Sequence, residues 1–72
     1  MKKYTVEELE EMKNSDEWIS RFKAAMEGYG LDELLNDEHW SVRVAVAKQG
    51  YALDELMNDS DSDVREAALD SL

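Results

Sequence analysis

Asp59, Asp61 and Asp63 alternate with other residues as D-x-D-x-D, the way an oxygen-ligand calcium loop begins. Such a loop continues with glycine sixth and glutamate twelfth, and those positions here are Val64 and Asp70. The run suits a helix start better. Asp61 is placed to cap a helix, and Asp63 puts a carboxylate in its first turn, where the helix dipole favours negative charge. His39, the sole histidine, follows Asp37 and Glu38. Three such donors on one turn lack a fourth, and the chain has no cysteine to supply it. Ser41 lies two residues from His39, a spacing that points the two side chains apart on a helix. His39 therefore reads as a helix-start residue. We expect no metal, cofactor or catalytic residue, and a chain that is not an enzyme.

Arg21, Arg43 and Arg65 recur every 22 residues. They could form a basic stripe for phosphate, but three cations amid excess acid make a poor nucleic-acid track. The structural alternative is a ladder in which each guanidinium bonds carboxylates or carbonyls at the preceding turn, such as Asp37 or Asp59. Trp18 and Trp40 hold equivalent places, and so do Tyr29 and Tyr51. They fit packing between layers. They equally fit an aromatic edge for a partner, because Trp and Tyr dominate interface anchors. The candidate partner-binding set is therefore Trp18, Tyr29, Trp40, Tyr51, Asp59, Asp61 and Asp63.

The elements that must position these residues come from an internal repeat. Gly28–Asp37 reads GYGLDELLND and Gly50–Asp59 reads GYALDELMND, so eight of ten positions match at an offset of 22. The same offset aligns Val42, Arg43 and Ala45 with Val64, Arg65 and Ala67. Backwards, it aligns Leu9, Asn14, Trp18, Arg21 and Ala25 with Leu31, Asn36, Trp40, Arg43 and Ala47. The chain divides into copies 6–27, 28–49 and 50–71 within a single domain, 1–72.

Each copy carries a short helical signal and then a longer one. Leu31, Leu34 and Leu35, and likewise Leu53, Leu56 and Met57, fall on one helical face. Longer helices are predicted over 16–27, 39–49 and 61–71. Gly28 and Gly50 end the first two in the left-handed conformation, and Asn14, Asn36 and Asn58 are expected to close the short helices the same way. Thr5 with Glu8 forms a capping box. Val42, Val44, Ala45, Val46 and Ala47 leave the middle long helix little polar face, as for a helix covered on several sides. The outer copies each show one apolar stripe: Trp18, Ile19, Phe22, Ala25 and Met26 in the first, and Val64, Ala67, Ala68 and Leu72 in the last. Polar faces opposite those stripes mark terminal caps. The middle copy is then interior, 6–27 the N-terminal cap and 50–71 the C-terminal cap.

Leu31, Leu34, Asp37, Val42, Arg43 and Ala45, matched by Leu53, Leu56, Asp59, Val64, Arg65 and Ala67, resemble the motif of HEAT repeats. HEAT repeats run to ~40 residues, so the compressed unit is closer to the leucine-rich-repeat-variant type. It also looks like short HEAT-like repeats of bacterial and phage-encoded proteins. The resemblance implies an all-α, right-handed α-solenoid of three helical hairpins. It also implies protein binding as the default role.

The chain has 72 residues, 18 acidic and 8 basic, for a net charge of -10, with 43% hydrophobic residues. That is too apolar for a disordered acidic tail and the wrong sign for direct nucleic-acid binding. The longest apolar run, Val44–Ala47, is far too short to span a membrane. The opening residues lack a basic-then-apolar leader, so a cytoplasmic location is expected. Residues 50–72 carry seven acids and one base. Two roles follow as expectations. One is a non-enzymatic protein-interaction module, monomeric or weakly dimeric. The other is a small phage or mobile-element inhibitor that mimics nucleic acid and blocks a basic, nucleic-acid-binding surface on a bacterial enzyme.

Overall fold

A computed structural model describes residues 3–72, and the described residues form helices and turns without strands. The helices are α1 (Val6–Lys13), α2 (Trp18–Met26), α3 (Leu31–Leu34), α4 (Trp40–Lys48), α5 (Leu53–Leu56) and α6 (Ser62–Asp70). The protein is all-α. None of these helices is long and apolar enough to cross a membrane.

Helices of nine residues are marginal alone, so packing must hold them. In this chain α4 packs between α2 and α6, α3 contacts α2 and α4, and α5 contacts α4 and α6. The buried side chains are mostly small: Ala24, Ala25, Val42, Ala45, Val46, Ala47, Val64 and Ala68, with Leu34 and Leu56 from the short helices. Alanine and valine let neighbouring backbones approach closely, and each fully covered valine contributes roughly 1.5–3 kcal/mol. Four of these residues belong to α4, the helix with neighbours on both sides.

Capping follows the sequence closely. The Thr5 hydroxyl accepts from the Glu8 N–H at 3.1 Å, and the Glu8 carboxylate accepts from the Thr5 N–H at 2.8 Å. Asp61 accepts from the Asp63 and Val64 N–H groups at 2.8 and 3.3 Å. Gly28 and Gly50 both have φ of 76°, as their place after α2 and α4 requires.

Three expectations need correction. The asparagines do not adopt left-handed backbone: Asn14 has φ -98°, and Asn36 and Asn58 are not among the positive-φ residues. Instead, the Asn14 and Asn58 amides donate to the carbonyls of Glu10 and Asp54, both at 3.0 Å. The left-handed residue precedes each short helix, at Gly30 (φ 69°) and Ala52 (φ 53°). Second, the opening helix of the first copy is not short, because α1 runs eight residues. Third, the outer apolar stripes are only partly covered. Ile19, Met26 and Leu72 are exposed, whereas Ala24 is buried.

Candidate functional site

Three turns of similar build precede α2, α4 and α6. Ser15, Asp37 and Asp59 each accept, through the side chain, the N–H two residues on, at 3.1, 2.9 and 2.9 Å. Each also offers its backbone carbonyl to the arginine six residues on: Arg21 to Ser15 at 2.8 Å, Arg43 to Asp37 at 2.6 Å, Arg65 to Asp59 at 2.7 Å. Two of these arginines reach forward as well. Arg21 donates Nε and Nη2 to the Asp37 carboxylate at 2.7 and 3.1 Å, and Arg43 does the same to Asp59 at 2.8 and 3.2 Å. The preceding turn thus supplies the carbonyl and the following turn the carboxylate, where the sequence reading placed both behind the arginine. These guanidinium groups are mostly covered and do not present a phosphate-binding stripe.

Asp59, Asp61 and Asp63 split into separate tasks. The Asp59 carboxylate faces Arg43 and the Asp61 N–H, Asp61 caps α6, and Asp63 is exposed on the first turn of α6. Burial alone would raise the Asp59 pKa, but the Arg43 bonds and the Asp61 N–H outweigh it and hold the carboxyl below its ordinary value. Among the described residues, no three His, Asp or Glu side chains gather in a way that could hold a metal ion.

His39 precedes α4, and its Nδ1 accepts from the Ser41 backbone N–H at 3.1 Å. It does for α4 what Asp61 does for α6. Its ring lies flat on Trp18, centroids 4.1 Å apart and 13° from parallel, and Trp40 follows at 6.0 Å. The helix starts therefore carry an aromatic row, Trp18–His39–Trp40, whose two indoles remain 37% and 44% exposed.

The tyrosines do not join that row. Tyr29 and Tyr51 follow the C-terminal ends of α2 and α4, a helix length of roughly 13 Å from the tryptophans. The Tyr29 hydroxyl donates to Glu10, and that bond raises the tyrosine pKa while lowering that of Glu10. Lys13 sits beside them and bridges Glu10 at 2.9 Å and Glu33 at 2.7 Å. This cluster ties α1 to the start of α3.

Trp40 opens onto a groove of about 250 Å³ between α4 and α6, lined also by Val44, Lys48, Asp63, Glu66, Ala67, Asp70 and Ser71. Of these lining residues, the candidate set had named only Trp40 and Asp63. The others were legible in part, since Trp40, Val44 and Lys48 recur every four residues and Asp63, Glu66 and Asp70 at three and four, each set on one helix face. That the two faces meet depends on how α4 and α6 are stacked. The groove lining combines apolar Val44 and Ala67, one exposed indole, three carboxylates from α6 and the single opposing charge of Lys48 from α4. It can hold an apolar side chain and attract positive charge. No family model, curated protein or solved structure matches the chain.

Proposed function

We propose that the chain is a non-enzymatic protein-interaction module built as a right-handed, HEAT-like α-solenoid of three 22-residue hairpins. Its binding surface is the α4–α6 groove with the adjoining Trp18–His39–Trp40 row. One observation carries this reading: Trp40 stands 44% exposed at the mouth of an apolar groove rimmed by Asp63, Glu66 and Asp70. A half-exposed indole beside a pocket is the usual makeup of an interface anchor. The rim selects a partner segment that pairs an apolar side chain with lysine or arginine. The recurring Arg–Asp pairs and the shared turn design support the repeat architecture.

The test is affinity capture from a host lysate, followed by titration of the captured partner against variants. Trp40→Ala should weaken binding by about tenfold or more in a chain whose helical circular dichroism spectrum at the assay temperature matches the parent's. Full retention of binding in both Trp40→Ala and the triple variant Asp63→Asn, Glu66→Gln, Asp70→Asn would overturn the reading.

A second reading rests on charge. Residues 50–72 hold seven acids and one base, and Asp54, Glu55, Asp63, Glu66 and Asp70 are exposed there. An acidic face of this kind fits a nucleic-acid mimic that blocks a basic site on a bacterial enzyme. Binding would then compete with DNA and weaken steeply with salt, since exposed charges act over ~8 Å at physiological ionic strength. Salt-insensitive binding would remove this reading and leave the indole groove.

A further inference from the structure

The 22-residue register sorts the outward face of the three long helices into three rows. Trp18, Phe22 and Met26 form the row on α2, Trp40, Val44 and Lys48 the row on α4, and Ser62, Glu66 and Asp70 the row on α6. The α2 row is apolar throughout, with Trp18 and Met26 exposed and Phe22 half-buried between them. The α6 row is polar and exposed throughout, and two of its three side chains are carboxylates. The α4 row stands between the two in chemistry as it does in space, with an indole, a valine and one lysine. Polarity therefore changes more across the helices than along any one of them. This face also stays open inside a stack. A long helix packs on each side of α4, yet Trp40 and Lys48 are exposed. A helix stacked on α6 would leave the α6 row open in the same way that α6 leaves the α4 row open.

Resting on the interaction reading above, we propose that this face takes an extended segment of another protein that crosses the three helices. The segment carries two apolar side chains three residues apart and an arginine or lysine three residues further on. Helices packed side by side lie roughly 8–10 Å apart. A polyproline-II segment rises about 3.1 Å per residue with three residues per turn, so every third side chain returns to one face at intervals of roughly 9 Å. The first apolar side chain then meets the α2 row, the second enters the groove at Trp40 and Val44, and the cation reaches Glu66 and Asp70. Charge fixes the order, because a cation at the middle place would face Lys48 instead. A segment laid along one helix would leave either the apolar row or the carboxylates unmet. A second copy of the chain is a poor occupant. No run between its described helices exceeds five residues, and Arg21, Arg43 and Arg65 are bonded within the chain.

The test uses two end-blocked peptides of one composition, titrated into the isotope-labelled full chain and followed by NMR. One has leucine, leucine and arginine at its first, fourth and seventh places; its isomer has the arginine at the fourth place and leucines at the ends. Alanine and proline fill the remaining places of both. The ordered peptide should give saturable shifts at the Trp18 and Trp40 indole N–H groups and the Met26 methyl, and should bind about tenfold tighter than the isomer. The double variant Glu66→Lys, Asp70→Lys should weaken the ordered peptide about tenfold, and a peptide with glutamate in place of the arginine should recover that loss. Equal affinity for the two isomers, or no saturable shift with either up to millimolar concentration, would overturn the proposal. If Trp40→Ala still weakens the captured partner while the isomers bind alike, the order across the helices falls and the groove reading stands. Captured-partner binding indifferent to the groove variants would take both down. Sedimentation equilibrium of the unmodified chain should show a monomer. A dimer abolished by Glu66→Lys, Asp70→Lys would make a second copy the occupant and overturn the assignment to another protein.

Discussion

Arg43 and Asp59 form a fork-to-fork pair, Nε to Oδ2 at 2.8 Å and Nη2 to Oδ1 at 3.2 Å. Because Arg43 also holds the Asp37 carbonyl, one side chain joins two turns. Both partners are mostly covered, at 15% and 11% side-chain exposure, so screening by water is limited. Arg43→Ala removes all three bonds and strands a carboxylate. The expected loss is about 1–3 kcal/mol. Arg65→Ala loses a single bond to a carbonyl and should cost less than Arg43→Ala. Urea unfolding of the two variants checks the order. An Arg43→Ala chain as stable as the parent would mean the pair contributes nothing to folding.

The same pair sets a pH dependence. The Asp59 carboxyl is held below its ordinary value, so its contribution to stability is present above the unfolded value of about 3.9. That contribution fades as pH falls through the lower folded value. The stability gap between the parent and Asp59→Asn should therefore be constant from about pH 5 to 7 and close as pH drops below about 4. Parallel urea titrations at stepped pH measure this gap. A gap that widens in acid would reverse the sign argued here.

The 22-residue offset and capping chemistry put the long helices at 16–27, 39–49 and 61–71, within two residues of their starts at Trp18, Trp40 and Ser62, and they gave the Asp61 cap directly. What periodicity could not give was contact between copies. An arginine at a fixed register needs a partner, but whether Asp37 or Asp59 lies before or behind it depends on how α2, α4 and α6 stack. The groove was missed for the same reason, because it belongs to two helices. Ile19, Met26 and Leu72 misled because an apolar stripe says which face prefers burial, not whether anything covers it. The asparagines were assigned by backbone tolerance, when Asn14 and Asn58 instead donate side-chain N–H groups to carbonyls four residues back.

Ala52 is in the left-handed region at φ 53°, where its equivalent, Gly30, has φ 69°. A left-handed L-residue costs roughly 1–2 kcal/mol. Glycine relieves this but adds backbone entropy to the unfolded chain, a cost of roughly 0.5–1 kcal/mol. Ala52→Gly should therefore stabilise by about 0.5–1 kcal/mol. The reverse change, Gly30→Ala, should destabilise, since the new Cβ would lie 2.4 Å from Lys13 Cδ and disturb the Lys13 contacts to Glu10 and Glu33. Melting curves of both variants provide the check, and destabilisation by Ala52→Gly would contradict it.

His39 tests whether the lone histidine is a cap or a chemical group. Its Nδ1 accepts the Ser41 N–H, and its ring lies on Trp18. His39→Ala loses both contacts. His39→Asn loses the stacking but restores a side-chain oxygen at one of the best residue types for a helix start. Asparagine should therefore recover about 1 kcal/mol relative to alanine. Asp61 already shows the short-side-chain solution, bonding two N–H groups at the start of α6. Because the His39 ring also belongs to the proposed binding row, both variants should weaken partner binding, and only their stabilities should differ. Equal stability of His39→Asn and His39→Ala in urea unfolding would end the reading of His39 as a cap.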